Sequence, residues 1–131
     1  MQHILPPIVV LTAHIHEQDS VTKWVQNNLM RYYLDATGLT YKKVKGTYRG
    51  IEETSFLVYT SSFKDIEPLL HIAEDFYQES ILVIDVANRD SYLLDTDTRN
   101  VIQRGSYLIG NKKPEGDYTE ITKDNYLRAL L

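Results

Sequence analysis

The spacing of apolar residues in the N-terminal third of the chain predicts a strand followed by a helix. An apolar run over residues 8–14 comes directly after two prolines, as expected of a buried first strand. Apolar residues then recur at helical spacing between Ser20, the predicted N-cap, and Gly38, the predicted residue after the helix. The pattern predicts an amphipathic helix of about four to five turns. Its apolar positions are Val21, Trp24, Val25, Leu29, Tyr32, Tyr33 and Ala36.

Two strands, a second helix and a third strand-like run follow. Residues 40–48 and 54–60 are rich in Tyr, Val, Thr and Phe, which predicts two strands joined through residues 49–53. A second apolar stripe begins after Asp65, the predicted N-cap, and puts Pro68 in the first turn, where its missing N–H does no harm. Residues 81–84 are all apolar, as in a strand covered on both faces.

This order of elements predicts the fold class. A β-α-β-β-α-β succession is that of the ferredoxin-like, or split βαβ, sandwich, so we expect a single α+β domain over residues 1–131. Residues 92–95 and 101–103 predict an added hairpin, and residues 105–116 a loop. Thr122 is the predicted cap of a short last helix that contains Tyr126, Leu127 and Leu130.

Composition and charge exclude several classes of function. The formal net charge is −4 with no basic cluster, which argues against a nucleic-acid partner. The absence of cysteine excludes disulfides, thiolate metal sites and cysteine nucleophiles, and it fits a reducing cytosol. The N-terminus has no basic leader, and no apolar run is long enough to span a membrane. We therefore expect a cytoplasmic protein. Its ten tyrosines suit ligand clefts and subunit interfaces.

The chain offers few metal or nucleotide motifs. His14, His16 and Glu17 could form a metal site. However, no further ligand has readable spacing, and the favoured interpretation is that these are polar residues at the end of a strand. Residues 95–100 begin like a calcium loop, yet Arg99 stands where an oxygen ligand belongs, so a hairpin turn is predicted there. Phosphate-binding glycine motifs and the serine-nucleophile motif are absent from the sequence.

Residues 46–56 are the strongest candidate for a functional segment. Gly46 and Gly50 let the backbone bend or approach a ligand closely. An aromatic ring at Tyr48 and a carboxylate at Glu52 or Glu53 would together suit a small cationic ligand. The alternative is a hairpin with a solvated acidic tip and a core tyrosine, and residue types alone favour this alternative.

Several segments, in order along the chain, resemble the small bacteriophage enzymes that degrade S-adenosylmethionine (SAM), described first as SAM hydrolases and later as SAM lyases. Residues 9–13 are similar to the first strand of that family, and residues 46–49 match its Gly-x-Tyr-Arg motif. Glu52 and Glu53 match its paired glutamates, although the loop between Tyr and Glu is shorter here. The remaining similar segments are residues 76–80, residues 105–107, and the positions Pro114, Gly116, Tyr118 and Thr119.

The resemblance implies a ferredoxin-like homotrimer with active sites at the subunit interfaces and no cofactor or metal. It implies that Glu53 and Tyr48 are catalytic, with Glu52 as the substitute if the correspondence shifts by one residue. Main chain at Thr12 and Ala13 would receive the adenine, and Gln78 would contact the substrate.

The implied reaction converts SAM to methylthioadenosine and homoserine lactone, through attack of the substrate carboxylate on its own γ-carbon. In a phage-infected cell it would lower the SAM pool that serves SAM-dependent restriction or methylation.

Three alternatives stay open at this point. A SAM hydrolase would release homoserine and would need a general base, for which Glu53 is the candidate. A trimeric protein of the PII or CutA kind would bind a nucleotide or a metal without turnover. A phage inhibitor would act by protein contact through its tyrosines.

Overall fold

A computed structural model describes residues 5–13, 19–48 and 50–131, with the side chain of Tyr48 excepted. Eight strands and two helices make up this part of the chain. The strands are β1 (Ile8–Leu11), β2 (Thr40–Tyr48), β3 (Ile51–Tyr59), β4 (Ser80–Asp85), β5 (Asp90–Asp95), β6 (Val101–Gly110), β7 (Tyr118–Thr122) and β8 (Asn125–Leu130). The helices are α1 (Ser20–Thr37) and α2 (Ile66–Asp75), the second preceded by a 3₁₀ turn at Phe63–Asp65. Neither helix is long and apolar enough to cross a membrane.

The eight strands form a closed antiparallel barrel in the order β1-β3-β2-β7-β8-β6-β5-β4, with β4 pairing back to β1. The prediction of a ferredoxin-like α+β sandwich is therefore wrong. The first six elements do follow the order β-α-β-β-α-β, but β5 to β8 extend the sheet from β4 around to β2. Closure gives each strand two neighbours.

The departure from prediction lies in the C-terminal third. Strand β6 runs through Gly110 and replaces the first half of the predicted loop. The predicted last helix is instead a hairpin, in which Thr122 pairs with Asn125 across a turn where Asp124 has a φ of 64°. The Asn125 side chain donates a hydrogen bond to Thr122 Oγ1 at 2.7 Å. This bond bridges the turn of the hairpin, so Thr122 is not the cap of a helix. Within β8, Leu127 is buried and the next residue, Arg128, is exposed.

Two hydrophobic clusters use opposite faces of the same strands. On β1, Val9 and Leu11 pack toward the helices, and Val10 packs into the barrel. The cluster beneath the helices comprises Val9, Leu11, Ala13, Met30, Leu34, Phe56, Val58, Ile66, Leu69, Leu70, Ile72, Ala73, Phe76, Ile81 and Val83. The cluster inside the barrel is smaller and consists of Val10, Val44 and Leu57, with Ile8, Leu82 and Ile121 against it. Because the inner cluster is small, part of the barrel interior remains open.

Helix α1 is confirmed with Gly38 in the left-handed conformation after its last turn (φ 74°). Its N-cap is Asp19 and not Ser20. The Asp19 carboxylate accepts a hydrogen bond from the Thr22 N–H at 2.7 Å, and this bond lowers the pKa of Asp19. A carboxylate at this position also complements the positive end of the helix dipole.

Two groups of apolar side chains are exposed in the part of the chain that the structure describes. The buried residues of α1 are Met30 and Leu34, whereas all seven apolar positions identified from its sequence are exposed: Val21, Trp24, Val25, Leu29, Tyr32, Tyr33 and Ala36. Along β6 and the end of β8, Val101, Ile102, Leu108, Ile109, Leu130 and Leu131 are exposed as well. Exposed apolar patches of this kind mark contact surfaces more often than isolated exposed residues do.

Candidate active site

One end of the barrel opens into a cavity of about 860 Å³. Its wall includes residues near the ends of β1, β2 and β8 and near the beginnings of β4 and β7. Its floor includes Val10 and Leu82, which also belong to the packing inside the barrel. The volume falls in the range typical of small-molecule sites, roughly 300–1,000 Å³. This cavity is the candidate site.

The two glutamates of the candidate segment lie on opposite faces of β3. Successive residues of a strand alternate between faces, and β3 begins at Ile51, so both glutamates belong to the strand and not to a loop. Glu52 is exposed and forms an ion pair with Lys45 at 3.6 Å. Glu53 is half-buried and lines the cavity. Only Glu53 of the pair is therefore in the cavity wall.

Gly46 lies directly opposite Glu53 in the β2–β3 register. A Cβ at this position would lie 3.1 Å from the main-chain oxygen of Tyr118, which is tighter than ordinary van der Waals contact. A glycine therefore allows β7 to approach β2 closely, and it keeps the cavity wall beside the Glu53 carboxylate free of a side chain.

The end of β1 contributes a hydroxyl pair to the same wall. The Thr12 and Ser55 side-chain oxygens are 3.0 Å apart, and both residues line the cavity. Ala13 is buried beneath the helices, and it does not belong to the described residues that line the cavity. Ser55 was missed in the sequence, although it lies two residues after Glu53 and so shares its face.

The connection between α2 and β4 forms part of the cavity rim. Tyr77 is 83% exposed there and has a φ of 59°, a conformation that is uncommon for a bulky residue. The Gln78 amide donates to the Phe76 carbonyl at 3.3 Å, and Gln78 lines the cavity. Buried Thr96 donates to the Gln78 carbonyl at 2.6 Å, which ties this connection to the β5–β6 turn. Tyr77 was not identified from the sequence as a site residue.

The remaining predicted residues lie wholly or partly outside the described part of the chain. The Tyr48 main chain pairs with Ile51, two residues along each strand from the Gly46–Glu53 pair, and its side chain is outside the described atoms. Arg49, His14, His16 and Glu17 are outside the described residues. Within the described ranges, no group of three or more His, Asp or Glu side chains is placed to hold a metal ion.

A family model for S-adenosylmethionine lyases matches residues 9–129, which is nearly the whole chain. This chain belongs to the S-adenosylmethionine lyase family. The resemblance noted in the sequence is thereby confirmed, and membership of the SAM lyase family supports an enzyme that cleaves SAM. A search of curated protein sequences finds no match to the chain.

For a SAM lyase, the charged residues of the cavity are informative. The described lining residues include three acidic residues, Glu53, Glu79 and Asp117, and one basic residue, Arg128, which follows Leu127 and so belongs to the face of the sheet opposite to Glu53. The excess of negative charge suits a substrate with a sulfonium and an ammonium group. Arg128 was missed in the sequence because a helix was predicted where β8 lies, and the family segments did not include it.

Tyr118 lies in the wall on the β7 side, where its main-chain oxygen is close to Gly46. It packs edge-on against Tyr126, with ring centroids 5.5 Å apart, and the Lys113 ammonium lies 5.7 Å from the Tyr118 ring centroid. A side-chain hydrogen bond with Tyr118 raises the pKa of Lys113. Tyr118 is thus held between an aromatic neighbour and a cation.

Proposed function

We propose that this protein cleaves SAM to methylthioadenosine and homoserine lactone in the end cavity of the barrel. The single observation that carries the proposal is the position of Glu53, half-buried in the cavity wall opposite Gly46, in a chain of the SAM lyase family. A carboxylate in such a position can bind the substrate ammonium through a charge-assisted hydrogen bond.

The reaction needs no external nucleophile. An oxygen of the methionyl carboxylate attacks the γ-carbon, a C–O bond forms, and the Cγ–S bond breaks with its electron pair going to sulfur. A carboxylate and a sulfonium become a neutral lactone and a neutral thioether, so no proton has to move. Folding the substrate into the attacking conformer can contribute about 7–11 kcal/mol in well-oriented intramolecular systems. Because opposite charges merge, partial exclusion of water favours the transition state.

The proposed roles combine the positions of Glu53 and Gln78 in the cavity with what the family resemblance implies. Glu53 anchors the ammonium group, and Gln78 contacts the substrate from the rim. By the resemblance, main chain at Thr12 and Ala13 receives the adenine, and Tyr48 acts on the sulfonium or ribose. Glu52 is left out of the mechanism because its carboxylate lies on the other face of β3, paired with Lys45.

The products of the reaction test this proposal. We expect purified protein with SAM, without added metal, to yield methylthioadenosine and homoserine lactone in equal amounts by mass spectrometry. In ¹⁸O-enriched water, lactone formed by internal attack carries no label at the moment of release. Homoserine that is labelled from the first time point would instead identify a hydrolase, and an unchanged SAM pool would refute both reactions.

We also propose that the protein is a homotrimer with its active sites at the subunit interfaces. The uncovered apolar surfaces on α1 and along β6 support this arrangement. A cyclic trimer joins two different patches of each subunit in a head-to-tail contact, and this chain has two separate patches. The openness of the barrel end leaves room for residues of a neighbouring subunit.

Light scattering after size-exclusion chromatography tests the trimer. We expect a mass three times the chain mass of 15.2 kDa. Leu108→Glu puts a charge on the uncovered β6 surface, and we expect it to give monomers with little SAM cleavage. Lys64→Glu, an exposed change beside α2, serves as the control and should leave the mass and activity unchanged. A wild-type monomer with full activity would exclude interface sites.

Loss of SAM would have a direct consequence in a cell. Methyltransferases and SAM-dependent restriction enzymes would lose their shared substrate, so we propose SAM depletion as the biological effect. We expect a lower SAM concentration in cells that express the wild-type protein than in cells that express the Glu53→Gln variant.

A further inference from the structure

Helix α2 ends in a Schellman motif whose left-handed residue is a tyrosine. The Gln78 N–H donates to the Ala73 carbonyl at 3.0 Å, and the Tyr77 N–H donates to the Glu74 carbonyl at 3.0 Å. The φ of Tyr77 is 59°. Glycine is the usual residue at this position of the motif, because a Cβ is disfavoured in the left-handed region. The local structure therefore does not explain a tyrosine here.

The chain on the far side of Tyr77 is fixed by buried Thr96. The Thr96 hydroxyl donates to the Gln78 carbonyl at 2.6 Å, and the Thr96 N–H donates to the Glu79 carbonyl at 3.0 Å. Hydrogen bonds on both sides thus hold the backbone of Tyr77 in the left-handed conformation. These bonds use main-chain atoms of residues 73–79 and do not depend on the tyrosine ring.

Packing does not explain the tyrosine either. Its side chain is 83% exposed. Among the residues that the structure describes, no ring packs on Tyr77 and nothing forms a hydrogen bond with its hydroxyl. The preceding residue is different, because Phe76 is 6% exposed and packs edge-on against Tyr33 with ring centroids 5.6 Å apart. A large residue that strains its backbone without a packing gain is typical of a functional position.

Tyr77 lies at the part of the cavity rim where β1 ends and β4 begins. Val10 pairs with Leu82 in antiparallel register, so the register continued by two residues brings Thr12 beside Ser80. Tyr77 is three residues before Ser80, at most about 11 Å of extended chain. Thr12, Ser80 and Tyr77 all line the cavity. The ring is therefore close to the main chain of Thr12.

We infer that the Tyr77 ring stacks on the adenine of SAM at the rim of the cavity. This inference rests on the proposed function, in which main chain at Thr12 receives the adenine. Main-chain groups bind the polar edge of a base, whereas an aromatic side chain covers its face, so the two contacts complement each other. Tyr77 then acts on substrate binding and takes no part in breaking the Cγ–S bond.

Binding of methylthioadenosine tests this contact separately from turnover. This compound carries the adenine but has no sulfonium, ammonium or carboxylate. By calorimetry we expect Tyr77→Gly to weaken its binding about 10-fold, the loss of one base–aromatic stack. Tyr77→Phe keeps the ring and should keep the affinity. Because glycine suits a φ of 59°, Tyr77→Gly should also raise Tm by about 3 °C. Weaker binding in a more stable protein is not expected of a structural residue.

Arg89→Gly is the matched control. Arg89 is also left-handed, with a φ of 51°, and it is exposed and outside the described residues that line the cavity. We expect a similar rise in Tm and an unchanged affinity for methylthioadenosine.

Four outcomes would overturn the inference. Two of them concern methylthioadenosine: wild-type protein that does not bind it, or Tyr77→Gly that binds it as well as the wild type. If only the affinity for SAM fell, the ring would contact the sulfonium and not the adenine. If Tyr77→Gly alone changed the mass by light scattering, the ring would be a subunit contact.

Failure of the proposed function is a distinct result. It appears as wild-type protein that leaves SAM intact, while Tyr77→Gly still weakens the binding of methylthioadenosine. With active wild type, we expect Tyr77→Gly to raise KM for SAM about 10-fold and to leave kcat unchanged, because stacking on the adenine is the same before and during the reaction.

Discussion

Replacing Glu53 with Gln is expected to reduce kcat/KM for SAM by at least about 100-fold, the loss typical of removing one partner from a buried charge pair. The amide keeps the size of the side chain and its place in the cavity wall, but it cannot neutralise the substrate ammonium. The head group then no longer holds its carboxylate against the γ-carbon. Steady-state measurement of methylthioadenosine release gives the ratio directly.

Glu52→Gln is the matched control for this change. It makes the same substitution at the neighbouring residue, on the opposite face of β3, where Glu52 is exposed and paired with Lys45. We expect activity close to that of the wild type, because a surface ion pair contributes little. If Glu52→Gln were the inactive variant and Glu53→Gln the active one, the assignment of the catalytic carboxylate would be reversed.

Gly105→Ala is expected to destabilise the fold by about 3 kcal/mol and to lower Tm by about 10 °C. A Cβ at Gly105 would overlap the main-chain oxygen of Leu130 and lie 2.7 Å from its carbonyl carbon. Gly105 is in β6, where the next residue, Ser106, pairs with Leu130. Relief of the overlap requires β8 to move away from β6. Because β8 is the link from β6 to β7, such a movement opens the barrel.

Gly110→Ala on the same strand is the control for Gly105→Ala. A Cβ at Gly110 meets nothing within 4 Å. Neither glycine has a positive φ, so alanine can adopt the backbone conformation at both positions, and the two variants differ in the contacts of the added Cβ. We expect a change of less than about 0.5 kcal/mol at Gly110. The Tm values of the two variants are compared by thermal unfolding at the same protein concentration, because the stability of an oligomer depends on concentration. Equal Tm values for the two variants would contradict tight β6–β8 packing.

Much of the N-terminal two-thirds was predictable because its signals are local. Each of these signals depends on neighbours within a few positions. They are the helical period of α1, the left-handed residue after it and the apolar run of residues 81–84. The hairpin of β2 and β3 was also expected, although β3 begins at Ile51 and not after the glutamates. The sequence did not predict which residues of α1 are buried. A helical period does not identify the part of the protein against which a face of the helix packs.

The hairpin predicted from residues 92–95 and 101–103 is present as β5 and β6, but residues 105–131 were mispredicted because they carry a weak local signal. Tyr126, Leu127 and Leu130 fit a helical turn as well as a strand, and the pairing with β6 and β7 decides between the two. Intrinsic preference is weak over so short a segment, and tertiary pairing overrides it. The error in secondary structure also concealed Arg128.

The sequence alone was sufficient for the family, the order of the first six elements and the glutamate pair, because motifs and periodicity are properties of neighbouring residues. Only the tertiary structure decided that the sheet closes into a barrel and that Glu53, not Glu52, lines its end cavity. It also decided that the beginning of β7 and the end of β8, distant in sequence from Glu53, line the same cavity. These features depend on strand pairings between distant residues, and no local pattern specifies such pairings.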